Sequence, residues 1–351
     1  MKLTNFRGQI LQEVMPRKID LIDKKILYIL SQNCRVSNTA LAKVLKIKRE
    51  VAAYRIKQLL NDKIINGFFT FVNQRKLGFQ IFKVFIKLVR VSDENKIIEE
   101  LLDKKEVTII GTCSGSFDLY FNITARSLEE FDDILNGIIQ KNSHLIREYV
   151  ILNIMREDST GGSIVVGSHE ETLKLLEINE TKGSTFYKEF NQQQGIRSKE
   201  LKISDLDEID KKILLMLRFN ARATLKEISE KVDITPNAVK TRMSRLVNDG
   251  VIKTFMPMLS YSTLGYQWYM IFLNLVGVPE SKPHSYFKQH PNTLWSIKCI
   301  GPWNYQVSVF AKDNLEFHKV LDEIRNEFKD NITYFNSIMI FNQFKFEPRI
   351  E

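Results

Sequence analysis

The spacing of apolar residues in the second half of the chain predicts a run of three short helices. The first helix follows from apolar residues that recur at three- and four-residue intervals, namely Ile209, Ile213, Leu214 and Leu217. Thr224 with Glu227 three residues later forms a capping box, so a second helix is predicted to end near Val232.

A third helix in this stretch has signals at both ends. Thr235 and Pro236 suit the N-cap and the first turn of a helix. Its buried stripe is predicted from apolar spacing to be Val239, Met243 and Leu246. Gly250 suits the left-handed conformation that ends many helices, and residues 251–256 then read as a strand.

The first half of the chain repeats this frame. Helices are predicted over 23–32, after the cap Ser37, and over 47–60, followed by a strand within 64–72. The third of these helices is expected to turn Val51, Ile56 and Leu59 inward. It lacks the N-terminal signal of its counterpart, because Lys48 stands where Thr235 stands, and Lys63 replaces the glycine stop.

A mixed pattern follows each set of three helices. Period-two stretches predict four strands and helical spacing predicts two helices, in the order βαββαβ. The predicted strands are 81–91, 107–113, 117–124 and 147–155, then 268–276, 294–300, 305–311 and 333–341, and the helices are 93–102, 127–139, 285–290 and 314–328. The predicted fold class is α+β, with two repeats of a winged helix-turn-helix followed by a ferredoxin-like domain.

The two halves are copies of one unit. Asp23 and Asp210 align within Ile-Asp-Lys-Lys-Ile-Leu, and the register of 187 residues holds without a gap through Gly78 and Gly265. Further on, Cys113 aligns with Cys299 at an offset of 186. We call the two halves copy one and copy two. A duplicated unit lets each functional hypothesis about one copy be compared with the other.

These patterns divide the chain into six predicted segments. An N-terminal arm and a linker rich in Ser, Gly and Gln separate the duplicated parts, and stretches such as 164–166 and 172–178 within the linker could be ordered. The segments are an arm (1–18), helix-turn-helix domain 1 (19–73), ferredoxin-like domain 1 (79–156), a linker (157–204), helix-turn-helix domain 2 (205–260) and ferredoxin-like domain 2 (266–346).

The composition favours an anionic partner. The 351 residues carry a formal net charge of +9, and 44% of them are hydrophobic, so the chain can bury real cores while remaining basic. No apolar run is long enough to span a bilayer, and the first 17 residues lack a signal-peptide core, so a cytoplasmic protein is expected. The three cysteines are far apart and the five histidines do not repeat, so neither a metal site nor a cofactor is expected.

Positive charge concentrates on the helix-turn-helix segments. Seven basic residues face one acidic residue between Arg35 and Leu60, and six face three between Arg222 and Val247. A plain three-helix bundle does not need this excess, whereas a helix-turn-helix meets DNA phosphates with its turn and third helix.

The sequence resembles the Lrp/AsnC family of transcription regulators. The resemblance rests on the stretches 206–214, 220–224 and 235–242 and on Asn248-Asp249-Gly250-Val251-Ile252 through Gly265, and it covers both copies apart from the arm and the linker. It implies a winged helix-turn-helix that binds double-stranded DNA, followed by a βαββαβ regulatory domain that dimerises and often binds an amino acid. The tandem fusion departs from the usual single unit.

The resemblance also implies an effector site at a Gly-x-x-Asp turn between the middle strands. Copy one has this turn as Gly115 and Asp118, whereas copy two has Gly301 and Asn304, so any small-molecule effector is expected at copy one. The same residues also fit a tight hairpin turn that needs glycine and binds nothing.

The outward residues of the two third helices are the candidates for DNA contact. A rotation of 100° per residue turns Glu50, Tyr54 and Lys57, and their counterparts Asn237, Thr241 and Ser244, away from the buried face. Arg55 and Arg242 lie nearer the core and would bind phosphate or brace the helix. The full predicted set of DNA-binding residues adds Lys48, Arg49, Thr235, Lys240 and Arg245.

Three functions are compatible with these residues. The favoured one is a sequence-specific transcription regulator, with the two regulatory domains of one chain forming an intramolecular pseudo-dimer and chains pairing further into a homo-oligomer. A nucleoid-like protein that coats DNA without sequence preference is the second. The third is an enzyme, since some proteins resembling this family decarboxylate haem precursors with histidine and arginine residues. The scattered histidines argue against the enzyme, so the chain is expected not to be one.

Overall fold

The computed structural model describes residues 18–159 and 205–351, so the predicted N-terminal arm and nearly all of the predicted linker lie outside the described residues. The fold is α+β as predicted. Its elements group by contact into two compact units, each drawn from both copies. The helical unit contains residues 18–78 and 205–264, and the barrel unit contains residues 79–159 and 265–349.

The helical unit contains the three predicted helices of each copy. Copy one has α1 (Leu21–Gln32), α2 (Asn38–Leu45) and α3 (Arg49–Asn61), followed by strand β1 (Ile65–Val72). Copy two has α6 (Glu208–Arg218), α7 (Leu225–Val232) and α8 (Pro236–Asn248), followed by strand β6 (Ile252–Leu259).

Local capping chemistry fixes where these helices begin. The hydroxyl of Ser37 accepts a hydrogen bond from the amide of Ala40, and Thr224 and Glu227 form the predicted capping box. Thr235 caps α8 in the same way, whereas Lys48 makes no side-chain cap for α3. The missing N-cap signal of copy one is therefore a missing hydrogen bond, and α3 begins without the cap that α8 has. The missing glycine stop costs no hydrogen bond, because Lys63 takes the left-handed conformation itself (φ 58°) and its amide donates to the carbonyl of Leu60.

One predicted core position in α3 was wrong. Val51 is 39% exposed, while Ala52 is fully buried with Ile56 and Leu59. Ala52 lies one turn before Ile56, within about 40° of it around the helix axis, whereas Val51 is about 140° away. Ala52 is also the counterpart of Val239 in copy two, which is buried, so the repeat register identifies the core position that hydrophobicity missed.

The strands that follow the helices pair with each other across the two copies. β1 and β6 form a two-stranded antiparallel sheet in which Phe69 lies opposite Met256 and Thr70 lies opposite Phe255. The wing expected within each unit is thus a β-ribbon shared by both. Backbone hydrogen bonds continue the pairing beyond the ribbon, for example from the amide of Cys34 to the carbonyl of Phe255.

The barrel unit contains the predicted βαββαβ order twice. In copy one the elements are β2 (Gln80–Leu88), α4 (Glu94–Asp103), β3 (Val107–Ser114), β4 (Leu119–Ala125), α5 (Leu128–Lys141) and β5 (Ile146–Ser159). In copy two they are β7 (Gln267–Leu275), α9 (Ser281–Gln289), β8 (Thr293–Ile300), β9 (Tyr305–Ala311), α10 (Asn314–Phe328) and β10 (Ile332–Phe346).

The last strand of each copy is longer than predicted because it bridges both copies. The first part of β5 pairs with β2 of its own copy, and its end pairs with β8, with Asp158 opposite Ser296. Likewise β10 pairs with β7 and then with β3, where Phe346 lies opposite Ile109. The eight strands close into a barrel in the order β10-β3-β4-β2-β5-β8-β9-β7.

Alternation along the strands separates two kinds of core. On β2, Phe82, Val84 and Ile86 pack with α4 and α5, while Ile81 and Phe85 pack inside the barrel. The interior residues form one cluster drawn from both copies, which includes Phe117, Tyr120, Met270, Phe272, Ile297 and Trp303. Over the described parts of the chain, no helix combines the length and apolar character needed to cross a bilayer.

Candidate nucleic-acid interface

The outer face of α8 is a shallow, open surface lined by polar side chains. Five of the predicted DNA-binding residues contribute to it, together with Asn248 and Asp249: they are Asn237, Lys240, Thr241, Ser244 and Arg245. The opposite face of the helix buries Val239, Met243 and Leu246, as predicted. The helix therefore presents amide, hydroxyl and cationic groups side by side, which are the groups that contact base edges and phosphates.

The outer face of α3 has different chemistry. The five predicted residues Lys48, Arg49, Glu50, Tyr54 and Lys57 are all exposed. Tyr54 is 62% exposed, and its hydroxyl oxygen accepts a hydrogen bond of 3.0 Å from Gln58 Nε2. This face offers an aromatic ring, a carboxylate and three cations, whereas the equivalent positions of α8 hold Thr, Pro, Asn, Thr and Ser.

Arg55 and Arg242 tie the third helix of each copy to its first helix. Arg242 Nη1 lies 2.6 Å from Asp207 and 2.9 Å from Asp210, and Arg55 Nη1 lies at the same two distances from Asp20 and Asp23. Hydrogen bonds with these carboxylates raise the pKa of both guanidinium groups. This geometry supports the bracing role that the sequence allowed, and phosphate contact by either arginine stays a prediction.

Copy two has a further ion pair that sequence reasoning missed. Arg245 also bonds to Asp210, whose side chain is completely buried. Copy one has Gln58 at the position of Arg245, so Asp23 there pairs with one arginine. The sequence carried no signal for this pair, because Asp210 and Arg245 are 35 residues apart and only the fold brings them together.

Two further arginines join the helix-turn-helix domains to each other. Arg35 Nη1 donates to the carbonyls of Ala221 and Ala223 in copy two, at 2.6 and 2.9 Å, and Arg222 Nη2 donates to Asn38 Oδ1 in copy one at 3.2 Å. Their guanidinium groups lie over Phe255 and Phe68 of the opposite copy. In the sequence, Arg35 and Arg222 were recognised only as part of the basic excess of each helix-turn-helix. Their equivalent positions in the two copies were the signal for a shared role.

The residues proposed for an effector are engaged in a hairpin connection of copy one. Gly115 has φ 118°, a conformation that favours glycine. The buried carboxylate of Asp118 accepts hydrogen bonds from Lys87 Nζ at 2.8 Å and from the amide of Leu88 at 2.9 Å. Both oxygens of the carboxylate therefore have partners within the chain.

Copy two keeps this connection without charge. Asn304 accepts from the amide of Leu275 at 2.9 Å and donates to its carbonyl at 2.7 Å. Asn274 stands where Lys87 stands, so the cation and the anion are replaced together. This paired replacement favours the hairpin-turn interpretation of Gly115 and Asp118 over the effector interpretation.

We expect Asp118→Asn to lower the free energy of unfolding by about 1.5 kcal/mol, because Lys87 loses a charged partner in a partly buried setting. The double variant Lys87→Asn with Asp118→Asn, which reproduces the copy-two pair, should recover most of this loss in urea titrations. An added amino acid that stabilises the wild type but neither the single nor the double variant would identify the turn as an effector site instead.

Comparison with known proteins identifies the helical segments. A model of the AsnC-type helix-turn-helix domain matches residues 19–60, and a model of winged helix-turn-helix DNA-binding domains matches residues 206–253. Both matches fall on the three-helix runs of the helical unit.

The fold is shared with a solved enzyme structure. The siroheme decarboxylase NirDL superposes with a TM-score of 0.59 over 93% of each chain, at 14% sequence identity. At this identity the likeness concerns the fold alone.

Curated relatives match about a third of this chain at higher identity. An uncharacterised HTH-type transcriptional regulator of Pyrococcus furiosus is 33% identical over 132 residues, which cover 36% of this chain and 84% of the relative. The HTH-type transcriptional regulator FL11 of Pyrococcus horikoshii is 30% identical over 120 residues, which cover 34% of this chain and 80% of the relative. With a helix-turn-helix at the start of each copy and relatives of this kind, the chain belongs to the Lrp/AsnC family of transcription regulators and carries the family's unit in tandem.

Proposed function

We propose that the chain regulates transcription by binding duplex DNA at an operator of two unlike half-sites, one read by α3 and the other by α8. One observation supports this proposal most: a single helical unit presents two exposed third helices whose outward residues differ at all three equivalent positions, with Glu50, Tyr54 and Lys57 on α3 and Asn237, Thr241 and Ser244 on α8. A homodimer presents two identical helices and reads a palindrome, and this unit does not.

The outward residues favour different bases. Asn237 on α8 can pair bidentately with adenine, and Thr241 and Ser244 can contact several bases. On α3, Lys57 favours the acceptors of guanine and Glu50 favours the amino group of cytosine. The two half-sites are therefore expected to differ in sequence and in base composition.

The cross-copy contacts of the helical unit would hold the two helices at a fixed spacing. The β1–β6 ribbon, Arg35 and Arg222 all connect one helix-turn-helix to the other. Half-sites bound by such a rigid pair are separated by about one helical turn of DNA or a multiple of it.

Selection from random duplexes tests the proposal. The wild type should enrich two unlike half-sites. A variant with Glu50→Asn, Tyr54→Thr and Lys57→Ser, which gives α3 the outward residues of α8, should shift the preference toward a symmetric site. A palindrome selected by the wild type would contradict two unlike half-sites.

DNA binding should depend strongly on salt. Lys48 and Arg49 are exposed at the start of α3, where helix-turn-helix proteins approach the backbone. Replacing both by alanine should make the negative slope of log affinity against log salt shallower by about 1.8, which is roughly 0.9 for each lost phosphate contact. Titration of a labelled duplex at several salt concentrations measures the slope, and an unchanged slope would place these two residues away from phosphate.

We also propose that each chain acts as its own pseudo-dimer in the barrel unit. The pairings of β5 with β8 and of β10 with β3 support this, because tethered copies meet at high effective concentration. In an otherwise cysteine-free chain, Arg156→Cys with Lys298→Cys should form a disulfide within one chain, since these residues lie opposite each other. A crosslink that forms only between chains would contradict the pseudo-dimer.

The shared fold makes a haem-precursor decarboxylase the second candidate. Among the described residues, no histidine lies on a strand of the barrel, since His144 precedes β5 and His284 lies on α9. His290 is buried at the end of α9 with Glu323, and His318 pairs with Asp322 on the surface of α10. Haem-type absorbance of the purified protein would favour the enzyme. Preferential binding to a defined operator in the presence of competitor DNA would favour the regulator over both the enzyme and a nucleoid-like protein.

A further inference from the structure

One lysine lies inside the barrel. Lys83 is on β2 between Ile81 and Phe85, which both belong to the interior cluster, and only 5% of its surface is exposed. Its ammonium group donates to Gln306 Oε1 at 2.5 Å, across the interior from β2 of copy one to β9 of copy two. This is the one ammonium-to-amide contact that spans the interior among the described residues.

The near-symmetry of the two copies breaks at this contact. The repeat register matches Lys83 with Met270 and Gln306 with Tyr120. The symmetric mate of the Lys83–Gln306 pair is therefore Met270 with Tyr120, a pair that cannot replace a hydrogen bond between an ammonium and an amide. Each copy thus contributes one half of a polar pair that neither copy could form with itself.

Pairing of like copies would leave buried polar groups without partners. Two copy-one halves would place each Lys83 opposite a tyrosine and bury two ammonium groups, while two copy-two halves would place each Gln306 opposite a methionine. The ring of Tyr120 lies over Gly111, where a Cβ would come within 2.5 Å of the ring carbons, and its buried hydroxyl makes no hydrogen bond to Lys83 although the ammonium lies 5.9 Å from the ring centroid. A buried charge or amide without a partner is costly, and such costs set partner choice.

We propose that Lys83 and Gln306 make the barrel selective for unlike halves, so that the copy-one face accepts a copy-two face and excludes a second copy-one face. The partner that this surface fits is thus a copy-two barrel face, from the same chain or from another chain of this protein. The inference rests on the pseudo-dimer proposed above and adds the residues that determine which halves pair.

Two full-length reporter chains test the selectivity. Arg156→Cys with Lys298→Cys reports pairing of unlike copies. Thr112 is the copy-one counterpart of Lys298, so Thr112→Cys with Arg156→Cys reports pairing of like copies, which must occur between two chains. Both reporters have Cys34, Cys113 and Cys299 replaced by alanine. Each is refolded from denaturant at high protein concentration, oxidised, and analysed by non-reducing electrophoresis with mass spectrometry.

In the wild-type background we expect the like disulfide to reach at most a tenth of the unlike disulfide. Lys83→Met with Gln306→Tyr gives both copies the same residues at this layer, and the like disulfide should then rise at least tenfold. Lys83→Met alone removes the ammonium and introduces the copy-two residue, so it should also raise the yield of the like disulfide. This single variant carries the test if the double variant folds poorly. Met270→Leu is the matched control, because it alters the same layer and keeps the Lys83–Gln306 pair, and it should change nothing.

The outcomes separate the two proposals. A like disulfide that stays equally rare in both Lys83 variants overturns the selectivity of this pair while leaving the pseudo-dimer intact. An unlike disulfide that fails to form in the wild type overturns the pseudo-dimer itself.

Discussion

Replacing Asp210 by alanine is expected to lower the free energy of unfolding of the helical unit by about 3 kcal/mol. The side chain is fully buried, takes part in the capping box of α6, and pairs with Arg242 and Arg245 of α8. Its removal therefore costs a cap and two charge-assisted hydrogen bonds, and it leaves two cations beside an apolar core. Part of the larger cost typical of a broken buried pair is relieved, because both arginines reach solvent.

The matched control is Asp23→Ala in copy one. Asp23 is 13% exposed and pairs with one arginine, since Gln58 replaces the second, so its loss should cost about 1 kcal/mol. Urea titration followed by circular dichroism measures both variants. Affinity for the α8 half-site should fall with Asp210→Ala and change little with Asp23→Ala. Equal destabilisation by the two substitutions would mean that the pair with Arg245 contributes nothing.

Raising the pH from 7 to 10.5 should lower the free energy of unfolding of Lys83→Met, relative to that of the wild type, by about 3 kcal/mol. Burial lowers the pKa of Lys83 from 10.5 to about 8 in the folded protein. Between these values the unfolded chain binds more protons than the folded chain, so the contribution of this group to stability rises with pH. The variant lacks that rise, and one pKa unit corresponds to about 1.4 kcal/mol.

The stability of the variant relative to the wild type should therefore be greatest at pH 7 and fall steadily above pH 8. Other ionisable groups near Lys83 are Tyr120 on β4, Glu157 on β5 and Cys299 on β8. Burial raises the pKa of Cys299 to about 12, which lowers stability at high pH in both proteins. Because the charge of Lys83 lowers that pKa, its removal adds to the relative loss of stability at high pH. Met270→Leu should give a flat difference from the wild type, and a flat difference for Lys83→Met would show that its ammonium is not penalised by burial.

The sequence predicted the helices and strands well where local chemistry decides them. Ser37, Thr224 and Thr235 begin their helices as predicted, because an N-cap needs only a side-chain oxygen and the next few amides. Val51 was misplaced because α3 has few large apolar residues, and a buried alanine gives no hydrophobic signal.

Features that depend on the other copy could not be predicted from local pattern. The ends of β5 and β10 have too little apolar alternation to read as strands, and they are strands because β8 and β3 supply their hydrogen bonds. Lys83 interrupts an apolar strand. A lysine in a strand usually marks a face exposed to solvent, yet Lys83 is buried because the opposite copy covers it.

The candidate DNA-contact residues were predicted by helix rotation alone, so the sequence gives their exposure and not their partners. Glu50, Tyr54 and Thr241 are exposed, as the helix rotation predicted. The engagement of Arg245 with Asp210 and of Asp118 with Lys87 depends on residues far away in sequence, and no spacing rule predicts it.

The bridging strands of the barrel have a consequence for synthesis on the ribosome. β3 is complete early, but the strand that covers its edge is β10, and contacts between these regions, such as Ser116 with Asn336, join residues 220 positions apart. At a translation rate of about 5–20 residues per second, that edge waits roughly 10–45 s for its partner. An unpaired edge of this kind recruits other strands. Nascent chains on neighbouring ribosomes of one message should therefore be the main hazard in production, and slower translation of copy two should lower the yield of folded protein.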